Sequence, residues 1–223
     1  MNTEILAIID VSGSMESIKT DAIGGFNAFL ADQKTVDGEA RMTLALFDNQ
    51  YDLLYQGRAL AEAEPLTTQT YVPRGSTALL DAIGRTLNVQ GARIEAEGWA
   101  EKVIVTVLTD GQENQSKEFT APVIREMVAA AEAKGWAFVF LAANQDAFAT
   151  AQFYGSSGAH AQSFAANSVG TAQAYSTMSN TTRVLRGAES VLPTSDVEAL
   201  AKFRAEQIAK VTPKPRAKAR KGA

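Results

Sequence analysis

The sequence contains no cysteine and only one histidine, His160. A disulfide framework, a thiolate zinc site, an iron–sulfur cluster and a cysteine nucleophile are therefore excluded. No apolar run approaches the length needed to cross a bilayer, so no membrane partner is expected. The first residues, Met1-Asn2-Thr3-Glu4, lack a basic segment, and the apolar run after them is interrupted by Asp10. They do not read as a signal peptide, and the expectation is a cytoplasmic protein. Internal repeats and low-complexity blocks are also missing. What is present is ordinary for a globular chain of 223 residues: 46% hydrophobic and 21% charged, enough for one mid-sized domain with a full core.

Charge is unevenly placed. Six of the 21 basic residues fall at or after Lys210 with no acid among them, which leaves the preceding body with an acidic excess of ten. An acidic body argues against a nucleic-acid-binding domain. Only the basic tail offers such a surface, and a charged, proline-containing terminus reads first as a solvated end. The expected organisation is a domain over residues 1–190, an appended helix over 191–211 opened by the capping box Ser195-Asp196-Val197-Glu198, and a disordered basic tail over 212–223.

Apolar patterning alternates along the chain. Ile5 to Ile9 is short and almost continuously apolar, as a strand buried on both faces should be. A helical stripe follows through Ile18, Ala22, Phe26, Phe29 and Leu30. Met42–Phe47 and Tyr51–Tyr55 are strand-like and separated by Asp48-Asn49-Gln50, which reads as a hairpin. Leu79, Ile83, Leu87 and Ile94 mark a helix, and Val103–Leu108 is the strongest strand signal. Thr120 reads as an N-cap ahead of Pro122, with Val123, Met127 and Ala130 lining a helix that Gly135 stops. A strand over Ala137–Ala142, a helix over Gln145–Phe153, a weak strand near Gln162–Ala165 and a helix over Ser168–Arg186 complete the series. Strands alternating with helices predict an α/β fold: a doubly wound, Rossmann-like, mostly parallel six-stranded sheet with one antiparallel edge strand and helices on both faces.

In such a sheet, ligands bind beyond the carboxyl ends of the strands. The residues there are Asp10-Val11-Ser12-Gly13-Ser14 after the first strand, Thr109-Asp110-Gly111 after the strongest one, and Arg74-Gly75-Ser76-Thr77 before a helix. Asp10, Ser12 and Ser14 alternate, and Gly13 lets the chain bend so that their oxygens converge. Asp110 reaches the same point from a neighbouring strand, and Thr77 adds a hydroxyl. An all-oxygen donor set suits a hard cation such as Mg²⁺, with Mn²⁺ or Ca²⁺ as alternatives.

These five residues resemble the metal-ion-dependent adhesion site of the von Willebrand factor A (vWA) domain, whose pattern is Asp-x-Ser-x-Ser, a Thr in a glycine-rich loop, and an Asp after the fourth strand. The resemblance covers about residues 3–190. It implies that Ser12, Ser14 and Thr77 contact Mg²⁺ by hydroxyl, that Asp10 and Asp110 hold coordinated waters and the serines, and that an Asp or Glu of a protein partner takes the last position. The family's function is binding, so no enzymatic activity is expected. Free-standing members of this size resemble bacterial or bacteriophage proteins, located in the host cytoplasm or the virion. The competing role is a structural or assembly scaffold of a larger complex.

An enzyme reading finds little support. A phosphohydrolase of the haloacid-dehalogenase type needs an acid where Ser12 stands. No Gly-x-Ser-x-Gly elbow and no Walker A loop occur. Arg74 departs from the family pattern of two glycines and is a like charge near the cation unless it points outward. Asp81, one turn after Thr77, is a candidate to support the site from behind, or equally a helix cap or a solvated acid. Asp48 lies near the same rim, although a turn residue before Asn49 is its simpler role. Glu113 and Asn114 read as solvated loop, His160 as bland, and Trp99 and Trp136 as packing residues.

Overall fold

The computed structural model describes residues 1–143 and 146–187. The expected appended helix over 191–211 and the basic tail lie outside the described residues. Among the described residues six strands form one sheet: β1 (Thr3–Asp10), β2 (Ala40–Phe47), β3 (Tyr51–Ala59), β4 (Lys102–Thr109), β5 (Ala137–Ala143) and β6 (His160–Phe164). Their order is β3-β2-β1-β4-β5-β6. All neighbours pair in parallel except β2 with β3. The hairpin strand is thus an antiparallel edge, and β1 sits inside the sheet, as the sequence predicts.

Among the described residues five α-helices cover the two faces: α1 (Lys19–Gln33), α2 (Leu79–Glu97), α3 (Ala121–Ala133), α4 (Ala147–Phe153) and α5 (Ser168–Gly187). Alternation along β1 explains the layers. Ile5, Ala7 and Ile9 face a core closed by Phe26 and Phe29 of α1 and Tyr175 and Met178 of α5. Leu6 and Ile8 face the opposite core, with Leu79 and Ile83 of α2, Ile124 and Val128 of α3 and Ala147 of α4. Between Ile5 and Ile9 the strand is buried on both faces and carries only apolar side chains, so its first polar group toward the carboxyl edge is Asp10.

Two adjacent glycines of α1 serve different ends. Gly25 lies under the Tyr175 ring, and a Cβ there would come within 2.2 Å of it, whereas a Cβ on Gly24 would meet nothing within 4 Å. The close approach lets α5 seat against α1. Polar contacts then fasten the seam: Gln33 Nε2 donates to Ser179 O at 3.1 Å and Arg183 Nη1 to Asp32 Oδ1 at 2.8 Å.

Some local expectations need correction. The inward stripe of α3 is Ile124, Val128 and Ala131, while Val123 is exposed. Thr120 is the N-cap and Pro122 lies in the first turn, as the sequence predicts, but the register that packs is offset by one residue. β3 runs on to Ala59, past Tyr55, and the β2–β3 register shifts on either side of Leu44. Trp136 is buried, as expected of packing, whereas Trp99 lies beneath the guanidinium of Arg41 at 4.1 Å from its ring centroid. Among the described residues no helix is long and apolar enough to cross a membrane.

Candidate metal centre

Asp10 ends β1 with its side chain fully buried, and three segments hold it. Its Oδ1 accepts from the Ser12 backbone N–H at 2.6 Å. Its Oδ2 accepts from Thr109 Oγ1 at 2.6 Å. Its backbone carbonyl accepts from the Tyr71 hydroxyl at 2.7 Å. Thr109 is the last residue of β4, which pairs directly with β1, so the sheet itself sets this contact. Burial pushes the Asp10 carboxyl up to about 6; the hydrogen bonds from Thr109 and Ser12 oppose the shift, and the charge of Asp110 adds to it.

Beyond Asp10 the chain enters a 3₁₀ turn over Gly13–Ile18. Ser12 stands at its N-cap in extended geometry but makes no side-chain capping bond. Its hydroxyl instead lies 3.1 Å from Ser14 Oγ, and Ser14 Oγ donates to Asp110 Oδ1 at 2.6 Å. One chain of polar contacts therefore runs from Asp10 through Ser12 and Ser14 to Asp110. Asp110 is half-buried and its carboxyl is raised, chiefly by burial.

Thr77 arrives on the segment between the β3 strand and α2. That segment is pinned to the Asp10–Ser14 turn: Arg74 N donates to Val11 O at 2.7 Å and Gly13 N to Gly75 O at 3.2 Å. Gly75 has φ of +64°, a conformation that favours glycine. A Cβ there would come within 2.1 Å of Asn49 Oδ1 and 2.8 Å of Asp48 Oδ2. Thr77 is buried, and its hydroxyl lies against Gly111, where a Cβ would approach Thr77 Oγ1 to 2.7 Å. The five predicted residues thus meet on one stretch of the carboxyl edge, from three loops. Four are linked by hydrogen-bond contacts, and Thr77 packs against the residue that follows Asp110.

The remaining candidates do other work. Asp81 receives three backbone N–H groups, from Lys117 at 2.8 Å and from Glu118 and Phe119 at 2.9 Å. It fastens the β4–α3 loop to the first turn of α2. Asp48 is buried; its Oδ1 accepts from Gln50 N at 2.6 Å and its Oδ2 from Arg74 Nε at 2.9 Å. It is the turn residue of the hairpin and also an anchor for Arg74, which pairs with Asp52 as well. Arg74 is thereby directed at these two acids. Neither Asp48 nor Asp81 hydrogen-bonds any of the five donors.

Glu113 and Asn114 are a correction, for they are not merely solvated. Asn114 Oδ1 accepts from Thr77 N at 3.0 Å, and Thr77 O accepts from Asn114 N at 3.0 Å. Glu113 accepts from Leu80 N at 2.9 Å and from Ser116 N at 2.7 Å. Sequence reading also missed Thr109 and Tyr71. A polar residue ending a strand next to the Asp10 strand was the available signal for Thr109; Tyr71 gave none. His160 is mostly buried at the start of β6, and burial lowers its imidazole to about 4.

Among the described residues no cluster of three or more His, Asp or Glu side chains is placed to hold a metal ion. This centre offers two carboxylates and three hydroxyls, a hard, all-oxygen set in which neutral groups are the majority. The buried Asp10 carboxylate faces the second acid with N–H and O–H donors but no cationic side chain among its hydrogen-bond partners. Such a set fits a divalent cation.

No protein-family model and no curated protein sequence matches the chain. Solved structures do. The vWF domain of the type V pili tip protein Mfa5 from Porphyromonas gingivalis aligns over 85% of this chain and 98% of that one, with TM-score 0.60 and 12% identity. Proximal thread matrix protein 1 from the mussel byssus aligns over 82% of this chain with TM-score 0.55 and 12% identity; the chain spans about half of its length, 46%. The von Willebrand factor type A protein from Catenulispora acidiphila aligns over 80% of this chain and 42% of its own, with TM-score 0.52 and 14% identity. At such identities the likeness carries the fold, and the chain has the Rossmann-like fold of von Willebrand factor A domains.

Proposed function

We propose that the chain is a protein-binding module that captures an acidic residue of a partner through Mg²⁺ held at its carboxyl edge. The observation that carries this reading is the continuous path Asp10–Ser12–Ser14–Asp110, closed by the 2.6 Å bond from Ser14 to Asp110. The Ser12, Ser14 and Thr77 hydroxyls would hold the cation, and Asp10 and Asp110 would act through water while orienting the serines. Bound Mg²⁺ supplies a positive charge that two carboxylates behind water only partly offset, and it retains an exchangeable position. A partner's Asp or Glu completes the shell. Nothing in this sequence of events breaks a covalent bond, so the module is not an enzyme on this reading.

The chain's own residues prepare the site. Thr109 and Ser12 N–H hold Asp10 as an acceptor, Tyr71 fixes its backbone, and Asn114 fixes Thr77. A scaffold role in a larger assembly is the alternative, and the byssus matrix neighbour lends it an example on the same fold. Calorimetric titration of Mg²⁺ into the wild type and Asp110→Ala tests the site. Saturable binding lost in the variant supports it; equal binding by both proteins refutes it. Chelator-sensitive partner capture then separates the adhesion role from constitutive assembly.

A further inference from the structure

Among the five candidate donors, Thr77 shares no hydrogen bond with the other four. Its main chain is held by one loop: Asn114 Oδ1 accepts from Thr77 N at 3.0 Å, and Thr77 O accepts from Asn114 N at 3.0 Å and Gln115 N at 3.2 Å. These bonds fix the backbone and leave χ1 undetermined. The direction of the hydroxyl therefore has another cause.

Gly111, on the same loop, supplies it. A Cβ there would stand 2.7 Å from Thr77 Oγ1 but 3.5 Å from its Cβ and Cγ2, so a methyl would collide with the hydroxyl alone. The φ of Gly111 lies outside the left-handed region, so the backbone itself would accept alanine. Gly111 is also tied in place. Its N–H donates to Thr109 Oγ1 at 3.2 Å, and that hydroxyl donates to Asp10 Oδ2 at 2.6 Å. One chain of bonds thus anchors residue 111 to the buried Asp10, while the Asn114 loop anchors the Thr77 main chain. The freedom that remains is rotation about Thr77 χ1, which moves Oγ1 by about 2 Å from one staggered well to the next.

Resting on the metal-site reading above, we infer that Gly111 is a positioning residue of the centre: the side chain it lacks keeps open the well in which the Thr77 hydroxyl stands. The Gly111–Thr109–Asp10 chain sets that well relative to Asp10, so Thr77 is registered to the other donors without a direct bond to them. Mg²⁺ demands near-ideal ligand geometry, and a hydroxyl displaced by one rotamer is lost to it.

The test is a cycle of Gly111→Ala, Thr77→Ala and the double variant, each in the full chain. In chelator, three-bond NMR couplings to the Thr77 methyl carbon read χ1 without any metal. Wild type should show one rotamer, and Gly111→Ala another or an average. A Thr77 rotamer unchanged by Gly111→Ala overturns the inference. In calorimetric titration of Mg²⁺, each single variant should bind about tenfold more weakly than wild type. The double variant should match Thr77→Ala within about twofold, because the hydroxyl that Gly111 positions is already gone. Losses that multiply to about a hundredfold in the double variant, or a Gly111→Ala affinity within about twofold of wild type, overturn it. Thermal melts in chelator check the collision itself. Gly111→Ala should lower the melting temperature of wild type but not that of Thr77→Ala, where the colliding oxygen is absent. An equal drop in both backgrounds makes Gly111 a requirement of the backbone and overturns the inference. The two readings separate cleanly. A rotamer change with no Mg²⁺ binding by wild type supports the gap and refutes the metal reading, whereas Mg²⁺ binding with an unchanged rotamer refutes the positioning role alone.

Discussion

Thr109 Oγ1 donates to Asp10 Oδ2 at 2.6 Å, and this bond joins the ends of the two central parallel strands. It is the contact that holds the most buried acid of the centre in place as an acceptor. Thr109→Val keeps the β-branched shape but removes the donor, leaving a buried carboxylate oxygen without it. The expected loss of stability is about 1–3 kcal/mol. Mg²⁺ affinity should fall about tenfold, because the freed carboxylate either turns away or takes up a proton. Thr109→Ser should restore both within about twofold. Urea melts and metal calorimetry on the three proteins decide it; a Val variant with unchanged metal affinity would show that the bond is only structural.

The Asp10 carboxyl sets a pH dependence whose sign is the reverse of an ordinary ion-paired acid. Burial raises it from 3.8 in the unfolded chain to about 6. The native state therefore holds the proton more tightly, and stability from this group is present below about pH 4 and lost as pH rises through about 6. The shift corresponds to about 3 kcal/mol at most. In chelator, wild type should lose stability from about pH 4 to about pH 7 relative to Asp10→Asn, which has no such proton. Glu4 and Asp110 are raised too and remain in both proteins, so the difference isolates Asp10. Saturating Mg²⁺ should flatten or reverse the slope. Parallel pH profiles for the two proteins in chelator would contradict the burial of Asp10 as a charged group.

Adjacent glycines in α1 provide opposite outcomes from one chemical change. Gly24→Ala should stabilise by about 0.5–1 kcal/mol, since the new methyl meets nothing and the helix loses its most flexible residue. Gly25→Ala should destabilise by about 1–3 kcal/mol by driving a methyl into the Tyr175 ring. Thermal melts of the pair check the α1–α5 packing directly. Like effects from both variants would mean that α5 does not seat as described.

The layered fold was legible because hydrophobic burial writes itself into sequence with a period. β1 and β4 are near-continuous apolar runs in their middles, and the stripe of Ile18 with Ala22, Phe26, Phe29 and Leu30 of α1 is buried throughout. The five candidate donors were legible because they end strands or open a helix, where a doubly wound sheet exposes polar groups. What escaped was held by backbone hydrogen bonds. Glu113 and Asn114 look like an acid and an amide of any exposed loop, and Asp81 like a support for the site, a helix cap or a solvated acid, yet all three fasten the β4–α3 loop through main-chain N–H groups. Such bonds depend on where the chain folds back and leave no periodic trace. The α3 register failed for a related reason: two neighbouring stripes of alanine and aliphatic residues are nearly equivalent, and only the sheet decides between them.

Asp81 offers a test of that distinction between fastening and ligation. Replacing it with Ala removes the acceptor of three backbone N–H groups in a mostly buried setting, at an expected cost of about 2–4 kcal/mol. Asp81→Asn keeps one acceptor oxygen and should recover part of the loss. Mg²⁺ affinity of either variant, measured where it is still folded, should change less than about threefold. A large loss of metal binding without loss of stability would instead make Asp81 part of the centre.

Asp110 combines both kinds of effect, with opposite signs in the apo and metal-bound proteins. Its carboxylate accepts the Ser14 hydroxyl at 2.6 Å and raises the Asp10 carboxyl by repulsion. Without a cation the two acids disfavour one another, and Asp110 sits on a half-exposed rim where loss of one hydrogen bond is partly made good by water. Asp110→Ala should therefore leave the apo protein folded and as stable as wild type, or more stable by up to about 1 kcal/mol. In Mg²⁺ the order should invert. Wild type should gain melting temperature with metal concentration by linkage, and the variant should not. On the proposed function, divalent-dependent binding of an acidic partner should vanish with it, since metal and partner would share one shell and each would raise the affinity of the other. Thermal melts of both proteins across a Mg²⁺ titration read all of this at once. An apo variant much less stable than wild type would mean that Asp110 serves the fold, and a variant that still gains stability from Mg²⁺ would place the cation elsewhere.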